Sequence, residues 1–199
     1  MRSYTDLEIE ALHKKYAPTD ELFELVFTHC KIIWDIAGQI LEAKRLPIDK
    51  DLVRLGCLLH DIGVYTLYDE KGEKRYNFSY VTHGIRGEEI LKKEGFPEEV
   101  WRIASHHTGV GLSRADIVKQ GLPLPKQDFM ADTLEEELVM YADKFHSKTT
   151  PPRFNTYESY KGYAAKFGDD KVVAFEHMAN EFGIPDLAPL IAAYDHAAE

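Results

Sequence analysis

The chain is poor in cysteine. It carries two in 199 residues, Cys30 and Cys57, with no C-x-x-C pair, which excludes a disulfide framework and leaves both to be read as buried thiols in a reducing cytosol. Nowhere do 18 apolar residues run together, and the start Met1-Arg2-Ser3-Tyr4-Thr5-Asp6 has no apolar stretch, so no membrane span or secretory leader is expected. Positive charge is scarce as well: 24 Lys and Arg against 34 Asp and Glu give a net charge of −10. That balance argues against a surface that coats nucleic acid, although a local basic pocket could still hold a phosphate. Internal repeats, low-complexity runs and linkers are also missing. What remains, 44% hydrophobic and 29% charged residues, is the composition of a globular protein, and the length fits one domain over residues 1–199. The expectation is a soluble, cytoplasmic chain, with a homo-oligomer compatible with everything read so far.

Helical periodicity dominates the pattern. Leu7, Ile9 and Leu12 predict a short helix ending before Pro18. A longer one runs from a Thr19-Asp20 cap to about Lys44, with Leu22, Val26, His29, Ile33, Ala37 and Ile40 on one stripe. A third, opened by Asp49 or Asp51, reaches His60-Asp61-Ile62-Gly63, where Gly63 reads as a C-terminal stop. Residues 64–80 break the pattern and read as an irregular flap or small hairpin. Helix returns from about Thr82 to Gly95, then from Pro97 to about His107. Residues 108–133 form a long connection with one short helix near Arg114 to Lys119. Thr133-Leu134-Glu135-Glu136 has the Thr-x-x-Glu pattern of a helix start, leading through Asp143 to about His146. Two or three further helices fall within about 156–197. The fold class is read as all-α.

Six positions stand out: His29, His60, Asp61, His83, His106 and Asp143. A His-Asp doublet alone carries no weight, because nine histidines and the aspartate content produce about 0.7 such pairs by chance. Placement is what matters. His29 lies on an apolar helical stripe, His60-Asp61 ends an apolar segment, His83 opens a helix, His106-His107 ends one, and Asp143 follows Leu138-Val139-Met140-Tyr141-Ala142. A buried carboxylate is costly unless it is paired or coordinated, so Asp61 and Asp143 need a positive partner. Imidazole and carboxylate without thiolate suit one or two divalent transition metals (Fe, Mn, Zn, Co or Ni).

These segments resemble the HD-domain superfamily of metal-dependent phosphohydrolases. The matching stretches are Phe27-Thr28-His29-Cys30, Leu58-Leu59-His60-Asp61-Ile62-Gly63, His83-Gly84 with Gly87-Glu88-Glu89, Ile103-Ala104-Ser105-His106-His107 and Tyr141-Ala142-Asp143-Lys144, covering roughly residues 20–147. The resemblance implies a helical bundle in which His29, His60, Asp61 and Asp143 bind one metal. It further implies that His83 and His106 hold a second, with Asp61 bridging the two. His107 matches a position that is a ligand only in some branches and is assigned to the pocket around the metals. Val64 stands where many hydrolytic members have lysine, and a Gly-Tyr-Pro signature is missing, both of which point away from the cyclic-dinucleotide phosphodiesterase branch. Lys71, Lys74 or Arg75 could replace that charge.

The implied chemistry is hydrolysis of a small phosphorylated or nucleotide-like metabolite by a metal-activated water. Arg86, three residues after His83, and Lys144, next to Asp143, are the candidate phosphate-binding cations. Residues 64–80 and 108–133 are expected to wall the substrate. Two other readings share the ligand set: a di-iron oxygenase cleaving a C–C or C–P bond, and a non-catalytic nucleotide-binding regulatory module. The remaining histidines, His13, His146, His177 and His196, match no motif and are read as surface or structural, although His146, three residues beyond Asp143, could graze the pocket.

Overall fold

Residues 4–199 are described by a computed structural model. In chain order the helices are α1 (Asp6–Tyr16), α2 (Asp20–Ala43), α3 (Lys50–Leu59), α4 (His83–Lys93), α5 (Glu98–His106), α6 (Arg114–Gln120), α7 (Leu134–Asp143), α8 (Tyr157–Ala164), α9 (Asp169–Phe182) and α10 (Ala188–Tyr194). Short 3-10 turns cover Ile62–Leu67 and Tyr80–Thr82. Three two-residue strands, β1 (His146–Ser147), β2 (Arg153–Phe154) and β3 (Ala197–Ala198), pair in that order, antiparallel then parallel. The protein is all-α. None of its described helices is long and apolar enough to cross a membrane.

The helix starts follow from side chains that satisfy orphan backbone N–H groups. The Thr19 hydroxyl accepts from Leu22 N at 3.3 Å to open α2, and Asp49 Oδ1 accepts from Asp51 N and Leu52 N at 3.0 and 3.1 Å to open α3. Thr133 caps α7 through Glu136 N at 3.2 Å. The Glu136 side chain does not close the expected capping box; it is buried and accepts from Arg102 Nε at 2.8 Å and Asp132 N at 2.7 Å, tying α7 to α5. The stripe Val26, His29, Ile33, Ala37 and Ile40 of α2 is fully buried or nearly so, and its apolar members share one cluster with Leu55 and Leu59 of α3, Ile103 of α5 and Val139 of α7.

Gly63 is not a helix stop. The chain passes through it into the 3-10 turn, and a Cβ there would lie 2.1 Å from His83 O and 2.3 Å from Gly87 N. Gly84 stands against α5 in the same way, 2.9 Å from Ala104 O. Lack of side chains lets α4 sit between the 61–67 turn and α5 at backbone contact, which fixes where His83 points.

Residues 64–80 divide in two. Val64, Tyr65 and Leu67 are buried in the 3-10 turn, whereas residues 68–79 form a small surface loop held by one bridge between Tyr68 and Lys74. Helix α7 stops at Asp143 rather than His146, because the chain turns at Lys144 and enters β1. Two-residue strands are too short to leave an alternating pattern, so the sequence gives no sign of the small sheet. Its consequence is large: β3 returns the end of the chain to the foot of α7, with Glu199 N donating to Phe154 O and Thr156 N to Glu199 O, both at 2.9 Å.

Gly63→Ala should therefore lower stability by about 3 kcal/mol or more, since only backbone can give way. Gly38→Ala in α2, where a Cβ meets no atom within 4 Å, should raise stability by up to ~1 kcal/mol. Urea unfolding of the two variants checks both signs; equal effects would contradict the close-contact reading of Gly63.

Candidate metal centre

Four helix ends and one helix middle deliver the site. His29 comes from the buried face of α2, His60 and Asp61 from the end of α3, His83 from the first residue of α4, His107 from the end of α5 and Asp143 from the last residue of α7. Two clusters with metal-ligand chemistry result: His29, His60, Asp61 and Asp143 in one, Asp61, His83 and His107 in the other. The Asp61 carboxylate belongs to both. Its Oδ2 lies 3.2 Å from both His29 Nε2 and His60 Nε2, while Oδ1 lies 3.3 Å from His83 Nε2 and 3.6 Å from His107 Nε2. Asp143 Oδ1 closes the first cluster, 3.0 Å from His29 Nε2 and 3.4 Å from His60 Nε2.

The tautomers follow from the other ring nitrogen. His60 Nδ1–H donates to Cys57 O at 2.8 Å, His83 Nδ1–H to Tyr80 O at 2.7 Å and His107 Nδ1–H to Ala104 O at 2.8 Å. A carbonyl only accepts, so each Nδ1 holds the proton and each Nε2 presents a lone pair to the cluster. Two such lone pairs face each other at 3.0 Å between His83 and His107. Asp61 Oδ1, buried beside them, has no hydrogen-bond donor among the described residues. Opposed lone pairs next to an orphaned carboxylate oxygen require a positive species between them, and a divalent cation fits that donor set.

The electrostatics agree. Burial alone pushes the Asp61 and Asp143 pKa values up, but Lys148 beside Asp61, Lys144 beside Asp143 and the charge that His60 can carry outweigh it and hold both carboxyls well below the usual range. Burial lowers His83 to about 3, and His29 and His107 are also depressed by burial. His60 is the exception: burial works against its charge, yet the Asp61 and Asp143 carboxylates raise it well above 6.5. A field that retains a proton on a buried imidazole is the field that attracts a metal cation to the same lone pair.

The expected residues fare unevenly. His29, His60, Asp61, His83 and Asp143 converge. His106 does not: its Nδ1 lies 2.9 Å from Arg102 O and 2.8 Å from Ser105 Oγ, and its ring packs on Phe129 of the 108–133 connection. His107 takes the place expected for His106. Consecutive helical residues point about 100° apart, and His107 continues the buried stripe Val100, Ile103, Ala104 at three- and four-residue steps. That periodicity was available in the sequence and favours His107. Arg86 also falls away from the site. Its side chain leans back along α4, stacking its guanidinium 3.9 Å from the Phe78 ring and reaching Thr82 Oγ1 at 3.2 Å. Lys144 is close, but it holds ligands in place, donating to Asp143 Oδ2 at 2.8 Å and His107 O at 2.9 Å. Val64 is buried, and residues 71, 74 and 75 lie on the surface loop.

Lys148 is the cation that sequence reading missed. It lies just past β1 and its Nζ bonds Asp61 Oδ2 directly. Burial works against its charge, but Asp61, Tyr80 and Asp143 together outweigh burial and raise its pKa. His196 was missed too, and His146, expected at most to graze the pocket, stands with it in line behind His29, buried or half-buried: His146 Nδ1 is 2.9 Å from His29 Nδ1, and His146 Nε2 is 3.0 Å from His196 Nδ1. No motif marks these three residues.

The clusters form the floor of a cleft of about 910 Å³. One wall is residues 108–112 with Gln120 and Leu122, as expected for the long connection. The other wall was expected from residues 64–80, which contribute Tyr80 alone; it is built instead by residues 147–171 and Glu199. In this acidic chain the cleft is lined by Lys144, Lys148, Arg153, Lys166 and Lys171, against one carboxylate, Glu199, outside the clusters.

The family model for the HD domain matches residues 26–148. An uncharacterized protein of Methanocaldococcus jannaschii is 37% identical over 60% of the chain and 65% of its own length. Two proteins named tRNA (cytidine(56)-2′-O)-methyltransferase, from Picrophilus torridus and Thermoplasma volcanium, are 33% and 34% identical over 62% and 65% of the chain. The match spans only 32% of each methyltransferase. Among solved structures, the HD domain of the Listeria monocytogenes phosphodiesterase PgpH superposes with a TM-score of 0.54 at 15% identity, covering 94% of this chain and 98% of that one. Its complex with cyclic-di-AMP gives 0.55 at 16%, covering 94% and 96%. With the ligand-bearing helices placed as described and the family model spanning most of the chain, the protein belongs to the HD-domain family.

Proposed function

We propose that the protein is a metal-dependent phosphohydrolase acting on a small phosphorylated or nucleotide-like metabolite in the cytoplasm. The observation that carries this reading is the Asp61 carboxylate, split between two imidazole pairs on the floor of a cation-lined cleft. Seven protein atoms would hold two divalent cations: Nε2 of His29, His60, His83 and His107, Oδ1 of Asp143 and both oxygens of Asp61. Bound there, such cations supply Lewis acidity and bring a water's pKa toward neutrality.

The chain's own groups do the rest. Asp61 and Asp143 fix the negative charge that retains the cations, and the carbonyls of Cys57, Tyr80 and Ala104 keep three imidazoles in the binding tautomer. Lys148, next to Asp61, is placed to take a non-bridging phosphoryl oxygen and offset charge as the P–O bond breaks. It stands in for the lysine that Val64 replaces. Tyr80, whose ring lies 4.7 Å from that of His83, offers a flat face at the cleft edge. PgpH binds cyclic-di-AMP, and a cleft of this volume suits a ligand of nucleotide size. The methyltransferase name belongs to proteins about three times longer than the matched segment and lends this chain no activity.

Protein replete with Mn(II) or Co(II) should turn over at least one member of a panel of phosphomonoesters, phosphodiesters and dinucleoside polyphosphates. No turnover, together with oxygen consumption by the iron-loaded protein, would overturn the reading. Asp61→Asn should cut the rate on the order of 10²–10³-fold or more and release metal. Lys148→Met should lower kcat/KM by about 10–100-fold, the worth of one charged hydrogen bond, with metal content unchanged by elemental analysis. Unaltered kcat/KM in that variant would remove Lys148 from the mechanism.

A further inference from the structure

Three of the four inward-facing imidazoles are set by a carbonyl three residues earlier in the chain: His60 by Cys57, His83 by Tyr80 and His107 by Ala104. Such a partner can only accept, so those tautomers have no alternative. His29 differs. It sits in the middle of α2, where carbonyls are used by the helix, and its Nδ1 meets His146 Nδ1 at 2.9 Å. His146 in turn meets His196 Nδ1 through Nε2 at 3.0 Å. Neighbouring ring centroids are 5.2 Å apart and their planes 32° and 23° from parallel, the side-by-side arrangement of in-plane N–H···N bonds.

Each contact in this row needs one proton, and the row can be filled in two directions. In the outward direction His29 Nδ1–H donates to His146 Nδ1 and His146 Nε2–H donates to His196 Nδ1, leaving the His29 Nε2 lone pair facing Asp61 and Asp143. In the inward direction all the donors reverse, and His29 carries its proton on Nε2, where a cation would have to be. A neutral imidazole carries a single N–H, so His146 cannot donate toward both neighbours and the two directions exclude each other. Only the outward direction makes His29 a ligand.

We infer that His196 is a positioning residue of the metal centre, accepting from His146 so that His29 presents its Nε2 lone pair. The inference rests on the metal reading above and adds a part of the chain beyond the segment matched by the HD-domain family, which ends at residue 148. The fold holds His196 in place from both sides. Tyr194 OH donates to Asp35 Oδ2 at 2.7 Å, anchoring the end of α10 to the same helix that carries His29. On the other side β3 pairs with β2, and Phe154, on β2, packs its ring on His146. The C-terminal residues would thus complete one half of the site, and the second cluster, with its carbonyl-set histidines, would be independent of them.

The test uses Co(II) alone as probe on the full chain, with affinities from competition against a chromophoric chelator and the visible absorption of the bound ion. Replacing His196 by leucine removes the acceptor; replacing it by asparagine puts a carbonyl oxygen close to where Nδ1 was. His196→Leu should weaken one of two Co(II) ions by roughly 10–100-fold and shift its absorption, while the other ion is unchanged. His196→Asn should bind both within a few-fold of wild type. Thermal melts of the metal-free variants separate tail packing from tautomer control. Wild-type affinity in His196→Leu, or equal weakening in both variants, would overturn the inference. Failure of the wild-type chain to take up Co(II) would overturn the metal reading itself, and this inference with it.

Discussion

A carboxylate with no access to water organises the site. Burying an anion such as Asp61 costs several kcal/mol unless positive charge and hydrogen bonds surround it; here Lys148 bonds one oxygen, and four imidazole Nε2 atoms stand around the carboxylate where cations would be held. The demand cannot be met from one segment, because no helix can aim that many groups at one point. It is met by α2, α3, α4, α5 and α7 each ending or passing at Asp61. The apolar stripes that glue these helices together are therefore also what sets where the ligand nitrogens lie.

Close backbone contact contributes to that placement. Gly63 and Gly84 let α4 approach its neighbours without intervening side chains, so His83 is held by main chain on both sides. The carbonyl hydrogen bonds behind His60, His83 and His107 are equally short-range and come without any extra residue, since helix ends leave carbonyls free. The cleft above the cations has a different origin. One of its walls is the long 108–133 connection and the other the C-terminal segments, which also bring in most of the positive charge. The metal-ligand clusters and the cleft walls thus come from largely different segments of the chain.

That separation explains what could be read in the sequence. Caps at Thr19, Asp49 and Thr133 and the stripe through His29 are local signals, and the helices they predict exist, with starts within a residue of the expected ones and two of the three ends, at Leu59 and Asp143, earlier than the expected Gly63 and His146. Five of the six expected ligands converge for the same reason: each lies on or at the end of a buried helical stripe. The error at His106 was a phase error, which the steps from Val100 through Ile103 and Ala104 to His107 resolve. Lys148 and His196 had no such signal, and His146 had only its spacing of three residues from Asp143. Their positions depend on two-residue strands joining residues 146–147, 153–154 and 197–198, and pairings that short and that distant leave no periodicity. Arg86 shows the reverse limit: helical spacing puts it near His83, but Phe78 and Thr82, outside that pattern, draw its side chain away.

The central claim is that one carboxylate joins two metal positions. Crystals grown with Mn(II) and measured on both sides of the manganese edge would test it most directly. Two anomalous peaks are predicted, one among His29, His60 and Asp143 and one between His83 and His107, each in contact with a different oxygen of Asp61. A lone peak lacking Asp61, or peaks only at surface carboxylates, would contradict it.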